Sequence, residues 1–303
     1  MVSSCLSIVS LYAGYLRRCF IGAGLLPQTI DIDSQTIIHF WGPNSNSSVT
    51  KKPPLVLIHG FGSNALFQWR RQVQALYPYF DLYVPDLIFF GGSTTKSSER
   101  SEIFQVVSIG KLLDKLGVGR FSVMGTSYGG FVAYHMASMW PDRVDKVVIA
   151  SSGVNKRRGD IDELMERANV KSIEDLMLPK TAAQLRTLLR LAVFKPPPVL
   201  PDFLLNDYVQ TMCMENRKEK LELLKGITLG QDDTVCISPL PQDVLIVWGE
   251  HDQLFPVEMG FELKELLGKK ARFEVLKNTS HVPQIEDSAK FNDIVKKFFC
   301  GSS

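Results

Sequence analysis

The sequence predicts an α/β fold, a mostly parallel sheet of eight strands flanked by helices, with a helical segment inserted past its middle. Three observations predict it. Apolar runs at residues 55–58, 147–150 and 244–248 are short and unbroken, and 121–124 is interrupted only by Ser122, as expected of strands buried on both faces. Stretches with helical patterning separate them, at 64–76, 102–116 and 131–137. From Gly153 to about Pro241 the strand pattern stops.

Taken in order, 29–33 and 35–41 read as an opening strand pair, and 43–54, rich in Ser, Asn and Pro, as a surface loop. Strands and helices then alternate up to residue 152. Four helices with polar starts follow, at 160–164, 172–177, 181–193 and 201–224, the last two separated by Lys195-Pro196-Pro197-Pro198. The strands resume at 244–248 and 272–276. This divides the chain into an N-terminal helix (1–28), a core in two pieces (29–152 and 242–303) and a helical cap (153–241).

Gly125-Thr126-Ser127-Tyr128-Gly129 lies between a strand and a helix. In that context the pattern makes a sharp turn that lifts a serine hydroxyl above the sheet. The pentapeptide alone is weak, because roughly a tenth of random chains of this length contain one. A serine also needs a base to take its proton and an acid to hold the base. Asp252 follows the strand at 244–248 through Gly249-Glu250-His251, and His281 follows the strand at 272–276 through Lys277-Asn278-Thr279-Ser280. Loops at the carboxyl ends of parallel strands converge on one edge.

Of the five histidines, His39 falls in an early strand, His135 lies eight residues along the helix after Ser127, and His251 adjoins the candidate acid. His59 reads as a packing or hydrogen-bonding residue, which leaves His281 as the base. Glu250 is the nearest rival to Asp252; the strand at 147–150 ends in Ser151-Ser152-Gly153, without a carboxylate. The loop His59-Gly60-Phe61-Gly62 follows the strand at 55–58. Its Phe61 N–H, with that of Tyr128, can meet the oxyanion of a tetrahedral intermediate.

Together these motifs resemble the α/β-hydrolase fold superfamily, in its capped esterase- and lipase-like branch. That branch includes monoacylglycerol lipases and the serine hydrolases that split carbon–carbon bonds of ring-cleavage products. The resemblance is carried by 59–62, by Asp86-Leu87-Ile88-Phe89-Phe90-Gly91-Gly92-Ser93, by 125–130, by 249–252 with Phe255-Pro256, and by His281. It implies Ser127 as nucleophile, His281 as base and Asp252 as its acid, with no cofactor and no metal. Ile88-Phe89-Phe90 departs from relatives that place Pro or Arg among glycines, and makes the expected pocket rim more apolar. Phe89, Phe90 and Phe194 are the expected substrate contacts, and the leucines of 185–191 with Phe203 and Leu204 offer further apolar surface. Arg186 and Arg190 could clamp an anion if they face inward. Serine at 127 argues against the epoxide hydrolase and dehalogenase branches, whose nucleophile is an aspartate. The expected reaction is hydrolysis of a carboxylic ester of a small apolar substrate, such as a monoacylglycerol. Two alternatives stand beside it: a carbon–carbon hydrolase of a vinylogous diketone, and a small-molecule receptor that keeps the same residues.

Composition narrows the classes further. The net charge of +2 and dispersed basic residues argue against nucleic acid, Lys51-Lys52 and Lys156-Arg157-Arg158 reading as solvated loops. Five cysteines with no metal-ligand spacing predict free thiols and a cytoplasmic setting. The apolar run 6–16 is shorter than the roughly 20 residues a membrane span needs. Arg17 and Arg18 follow that run, whereas a secretory signal carries its charges first, and Val2 excludes a myristoylation start. Residues 1–28 therefore read as a helix docked on the domain, with peripheral membrane contact as the alternative.

Overall fold

The computed structural model describes residues 7–44, 52–235 and 237–301. Val2, Cys5, Leu6, Lys51, Cys236 and the centre of the 43–54 loop lie outside the described residues.

The strands are β1 (Leu25–Asp31), β2 (Thr36–Pro43), β3 (Pro54–Ile58), β4 (Asp81–Pro85), β5 (Thr94–Thr95), β6 (Phe121–Thr126), β7 (Val144–Ala150), β8 (Asp243–Gly249) and β9 (Ala271–Leu276). They form one sheet in the order β1-β2-β4-β3-β6-β7-β8-β9, with β5 paired to β2. The pairs from β4 to β9 are all parallel, and β1, β2 and β4 join antiparallel. The sheet thus has nine strands rather than the expected eight. The extra one is a threonine pair, too short to show a period of two. The opening strand also begins at Leu25, four residues ahead of its expected start.

The unbroken apolar runs have a direct cause. Val56 and Ile58 face one core, while Leu55 and Leu57 face the other. Val244, Ile246 and Trp248 alternate with Leu245 and Val247 in the same way. Side chains alternate across a strand, so covering both faces demands an apolar residue at every position. Each such burial stabilises by about 1.5–3 kcal/mol. Helices α1 (Ile8–Gly22), α2 (Ala65–Leu76) and α11 (Ser288–Cys300) cover one face; α3 (Glu102–Lys115), α4 (Tyr128–Met139) and α10 (Val257–Leu267) cover the other. Their starts follow the sequence signals: Asn64 and Ser101 accept from the N–H groups of Phe67 and Phe104.

Between β7 and β8 run α5 (Arg158–Ala168), α6 (Ile173–Met177), α7 (Ala182–Ala192), α8 (Asp202–Tyr208), a π-helical turn (Val209–Cys213) and α9 (Arg217–Lys225). The helix expected over 201–224 is therefore broken. Asn216 sits in the left-handed region at φ 48°, which ends one helix and re-aims the next. The segment carries small apolar cores of its own, one around Leu185, Leu205 and Met212 and one around Leu164, Leu176 and Leu191. Among the described residues no helix is long and apolar enough to cross a membrane.

A buried carboxylate ties this segment to the sheet domain. Glu102, fully buried, accepts hydrogen bonds from the Thr228 N–H and hydroxyl and from the Leu229 N–H. His135 Nε2 lies 3.6 Å away. Burial pushes the Glu102 carboxyl up, but His135 and the Thr228 donors outweigh it and hold it below its ordinary value. A carboxyl depressed in the folded state stabilises fully above its unfolded pKa, and that contribution is lost as pH falls through the folded value. We expect Glu102→Gln to destabilise by about 2–4 kcal/mol at neutral pH and to flatten the fall in stability between about pH 5 and 3. Urea midpoints across that range check this; an unchanged slope would contradict it.

Candidate active site

Four loops meet at the carboxyl edge of the parallel strands. Ile58 pairs with Gly125, so the loops after β3 and β6 leave the sheet side by side. Gly249 pairs with Leu276, and the loops after β8 and β9 leave level with each other.

Ser127 caps α4 with φ 53° and ψ −123°, a backbone conformation that L-residues rarely adopt. Hydrogen bonds from its N–H to Ala150 O (2.9 Å), from Gly130 N–H to its carbonyl (2.8 Å) and from Ser152 Oγ to that same carbonyl (2.6 Å) hold it there. The flanking glycines answer to close packing. A Cβ on Gly125 would stand 2.0 Å from Gly129 O, and one on Gly129 would stand 2.3 Å from Ile58 O. No other residue fits at either place.

His281 Nε2 lies 2.9 Å from Ser127 Oγ, and His281 Nδ1 lies 2.9 Å from Asp252 Oδ2. The other oxygen of Asp252 accepts the N–H groups of Leu254 (2.9 Å) and Phe255 (3.0 Å). Both Asp252 oxygens are thus occupied, and the carboxylate is fixed in one orientation. Ser127, Asp252 and His281 are only 9, 5 and 6% exposed. The structure brings together the three residues singled out in the sequence.

The rivals stand elsewhere. Glu250 accepts the Asn278 N–H, and His251 stacks on Phe194 with ring centres 4.3 Å apart. His39 Nδ1 meets Asp86 Oδ2 at 2.8 Å. The Leu87 N–H donates to His59 Nε2 (2.9 Å), which makes Nδ1 the protonated nitrogen, donating to Gly60 O (2.8 Å). Burial lowers the His59 pKa, so the ring is neutral near pH 7 and serves as a brace for the loop.

Phe61 heads that loop, with its ring edge-on to Phe90 (5.2 Å) and Tyr128 (5.8 Å). The Tyr128 N–H, first in α4, has no carbonyl a turn earlier to take it. Two expectations need correction. Phe89 and Phe90 are not rim residues: both are buried in the core, with the Arg100 guanidinium 4.6 Å over the Phe89 ring. Phe203 points outward, 63% exposed. Arg186 pairs with Asp202 and the Leu200 carbonyl, and Arg190 is exposed, so neither faces inward. Phe194 stacks on His251, and its N–H donates to Glu286.

Several contributors carry no sequence signal. Glu286 accepts the Ser280 N–H (2.7 Å) with one oxygen and the Phe194 N–H (2.8 Å) with the other. The His281 N–H donates to Ala192 O at 3.1 Å. The loop bearing His281 is thereby stapled to the end of α7. Tyr208 OH donates to Gly62 O (3.0 Å), joining α8 to the loop after β3. Lys220 is buried, donates to Met212 O (2.9 Å) and sits 5.0 Å over the Phe90 ring. Only the close approach of α7, α8 and α9 to the sheet edge creates these contacts.

A cavity of about 290 Å³ opens beside Phe255, between apolar Leu164 and Met259 and charged Lys156, Asp160 and Arg167, and is not lined by Ser127, Asp252 or His281. A larger cavity, about 870 Å³, lies around Leu25, Tyr77 and Asp81, at the opposite ends of the strands. Size alone does not mark the chemistry. Among the described residues no group of three or more His, Cys, Asp or Glu could hold a metal ion.

A doubly covered parallel sheet with a strained serine at its carboxyl edge defines a class of hydrolases. The chain belongs to the alpha/beta hydrolase fold family, whose sequence profile matches residues 53–288. It is 25% identical over 248 residues to pimeloyl-(acyl-carrier protein) methyl ester esterase from Vibrio campbellii, covering 81% of this chain and 94% of that one. It is 26% identical over 263 residues to 2-hydroxy-6-oxononadienedioate/2-hydroxy-6-oxononatrienedioate hydrolase from Burkholderia vietnamiensis, covering 84% and 89%. Among solved structures it resembles a membrane phospholipase A, a bacterial virulence factor, with TM-score 0.78, 21% identity and coverage of 98% and 93%. The chain is a hydrolase of this fold, with esterases, lipases and carbon–carbon hydrolases among its relatives.

Proposed function

We propose that the protein is a serine hydrolase that cleaves a carboxylic ester of a small, neutral, apolar substrate through an acyl-enzyme. The observation that carries this reading is His281, placed 2.9 Å from both Ser127 Oγ and Asp252 Oδ2. Ser127 Oγ attacks the ester carbonyl while His281 Nε2 takes the hydroxyl proton. Asp252 holds Nδ1–H and offsets the imidazolium charge. The tetrahedral oxyanion is met by the N–H groups of Phe61 and Tyr128. The carbonyl re-forms, the C–O bond breaks, and His281 returns the proton to the leaving alcohol. Water, deprotonated by His281, attacks the acyl-enzyme and releases acid and free serine.

Residues 153–241 act as a cap over this site. With Ser127 9% exposed, substrate enters only when α7 and α8 move away from the sheet edge. The carbonyl and amide contacts of Ser280, His281 and Glu286 to the α7 end make that movement felt at the base. The outward placement of Arg186 and Arg190 supports a neutral substrate.

One observation favours a second reading. The Lys220 ammonium, one ring behind Phe61, is a buried cation that a substrate carboxylate could approach, as a carbon–carbon hydrolase of a carboxylated vinylogous diketone requires. A single panel separates the two: p-nitrophenyl esters of increasing chain length beside a carboxylated vinylogous diketone. At about 0.8 kcal/mol per buried CH₂, kcat/KM should rise up to about four-fold per methylene until the pocket fills. Acetate as the best ester, with no gain from longer chains, would overturn the apolar pocket. Preference for the diketone, lost in Lys220→Met, would establish the second reading instead.

A further inference from the structure

Helix α1 shows solvent a second apolar side. Val9, Leu16 and Phe20 pack into the domain, whereas Ile8 (44% exposed), Leu11 (60%), Tyr12 (45%) and Tyr15 (50%) stand outside. Their spacing of three and four residues puts them in one stripe. The inserted helix α8 packs beside α1. Ser7 Oγ and the Val9 N–H both donate to Asp207, which anchors α1 to α8 and occupies that carboxylate. Beyond it stand Phe203 and Val199, 63% and 79% exposed. Contiguous exposed apolar surface of this kind marks a lipid or partner surface.

The charges around it choose between occupants. Helices α1 and α2 carry four arginines, Arg17, Arg18, Arg70 and Arg71, and no acidic residue, while the two aspartates of α8 are partnered, Asp202 by Arg186 and Asp207 by Ser7 and the Val9 N–H. Arg17, Arg18 and Arg71 are exposed, and Arg70 lies 5.8 Å over the Tyr15 ring. A second copy of this chain, related by a two-fold axis, would set arginines against arginines. An anionic lipid surface meets the same pattern with opposite charge: headgroup phosphates for the arginines, the headgroup–acyl boundary for tyrosine, leucine and phenylalanine. A helix of 15 residues is too short to span, so contact is peripheral.

We infer that the face formed by α1 and the start of α8 docks on membranes containing anionic phospholipid. The inference does not rest on the ester-hydrolase reading. It does add to it: Tyr208, next to Asp207, holds the Gly62 carbonyl, so a docked bilayer lies against the helices that cover Ser127.

The test is co-sedimentation of the full chain with vesicles of phosphatidylcholine alone, or with about one third phosphatidylserine, at low and high salt. Binding should require phosphatidylserine and weaken with salt. Arg17→Gln with Arg18→Gln should weaken it by about five-fold per arginine removed. Leu11→Asp with Tyr15→Asp should abolish it. Melting curves, and hydrolysis of a dissolved short-chain p-nitrophenyl ester, should match the parent protein in each variant. If the aspartate pair does not fold, the exposed arginine pair decides alone. Equal sedimentation of parent and arginine variant would overturn the inference. So would an absence of vesicle binding, with or without a dimer in the ultracentrifuge that the variants abolish.

Discussion

Ser127→Ala should lower kcat for ester hydrolysis by about a million-fold while the melting temperature stays within a few degrees of the parent's. The size follows from the way nucleophile, base and acid act as a unit, so that losing the nucleophile costs nearly as much as losing all three. The stability expectation follows from the structure. Ser127 is held in its strained conformation by its own backbone N–H and carbonyl, which alanine keeps. Its Oγ contacts only His281 Nε2 among the hydrogen bonds of the described residues. A fluorophosphonate should label Ser127 and nothing else. Measurable esterase activity in the purified variant, or labelling at another residue, would refute the assignment.

Asp252→Asn should lower kcat by about ten-thousand-fold. One oxygen of Asp252 accepts the Leu254 and Phe255 N–H groups, and the other accepts from His281 Nδ1. An asparagine has a single oxygen. The two backbone donors claim it, which turns the amide NH₂ toward the imidazole. Nδ1 then has to accept, the proton moves to Nε2, and Nε2 can no longer take the proton of Ser127. Glu250→Gln should have little effect, because Glu250 accepts the Asn278 N–H while His281 Nδ1 meets Asp252. A larger loss in Glu250→Gln than in Asp252→Asn would show the acid was misassigned.

The sheet and the loops that bear Ser127, Asp252 and His281 are legible in sequence because each depends on local rules. Val244 to Gly249 is apolar throughout because both of its faces are covered, and Gly125 and Gly129 flank Ser127 because a Cβ at either would strike backbone. Residues about 150 apart meet at one edge because parallel strands deliver every such loop to the same side. The helix expected over 201–224 failed for an equally local reason, since periodicity does not register a single left-handed Asn216.

The sequence by itself determined the strand and helix succession, the sharp serine turn, and the order in which the loops bearing Ser127, Asp252 and His281 leave the sheet. Tertiary structure alone decided what lies against them. Phe89 and Phe90 became core residues because the Arg100 side chain and the 217–225 helix close over them. Lys220 was buried, Arg186 was drawn to Asp202, and Glu286 came to bridge the His281 loop and Phe194. Periodicity records which face of a helix is apolar, but the angle at which the inserted helices settle on the sheet comes from packing between residues distant in the chain. That angle sets which polar groups lose water and must find partners inside.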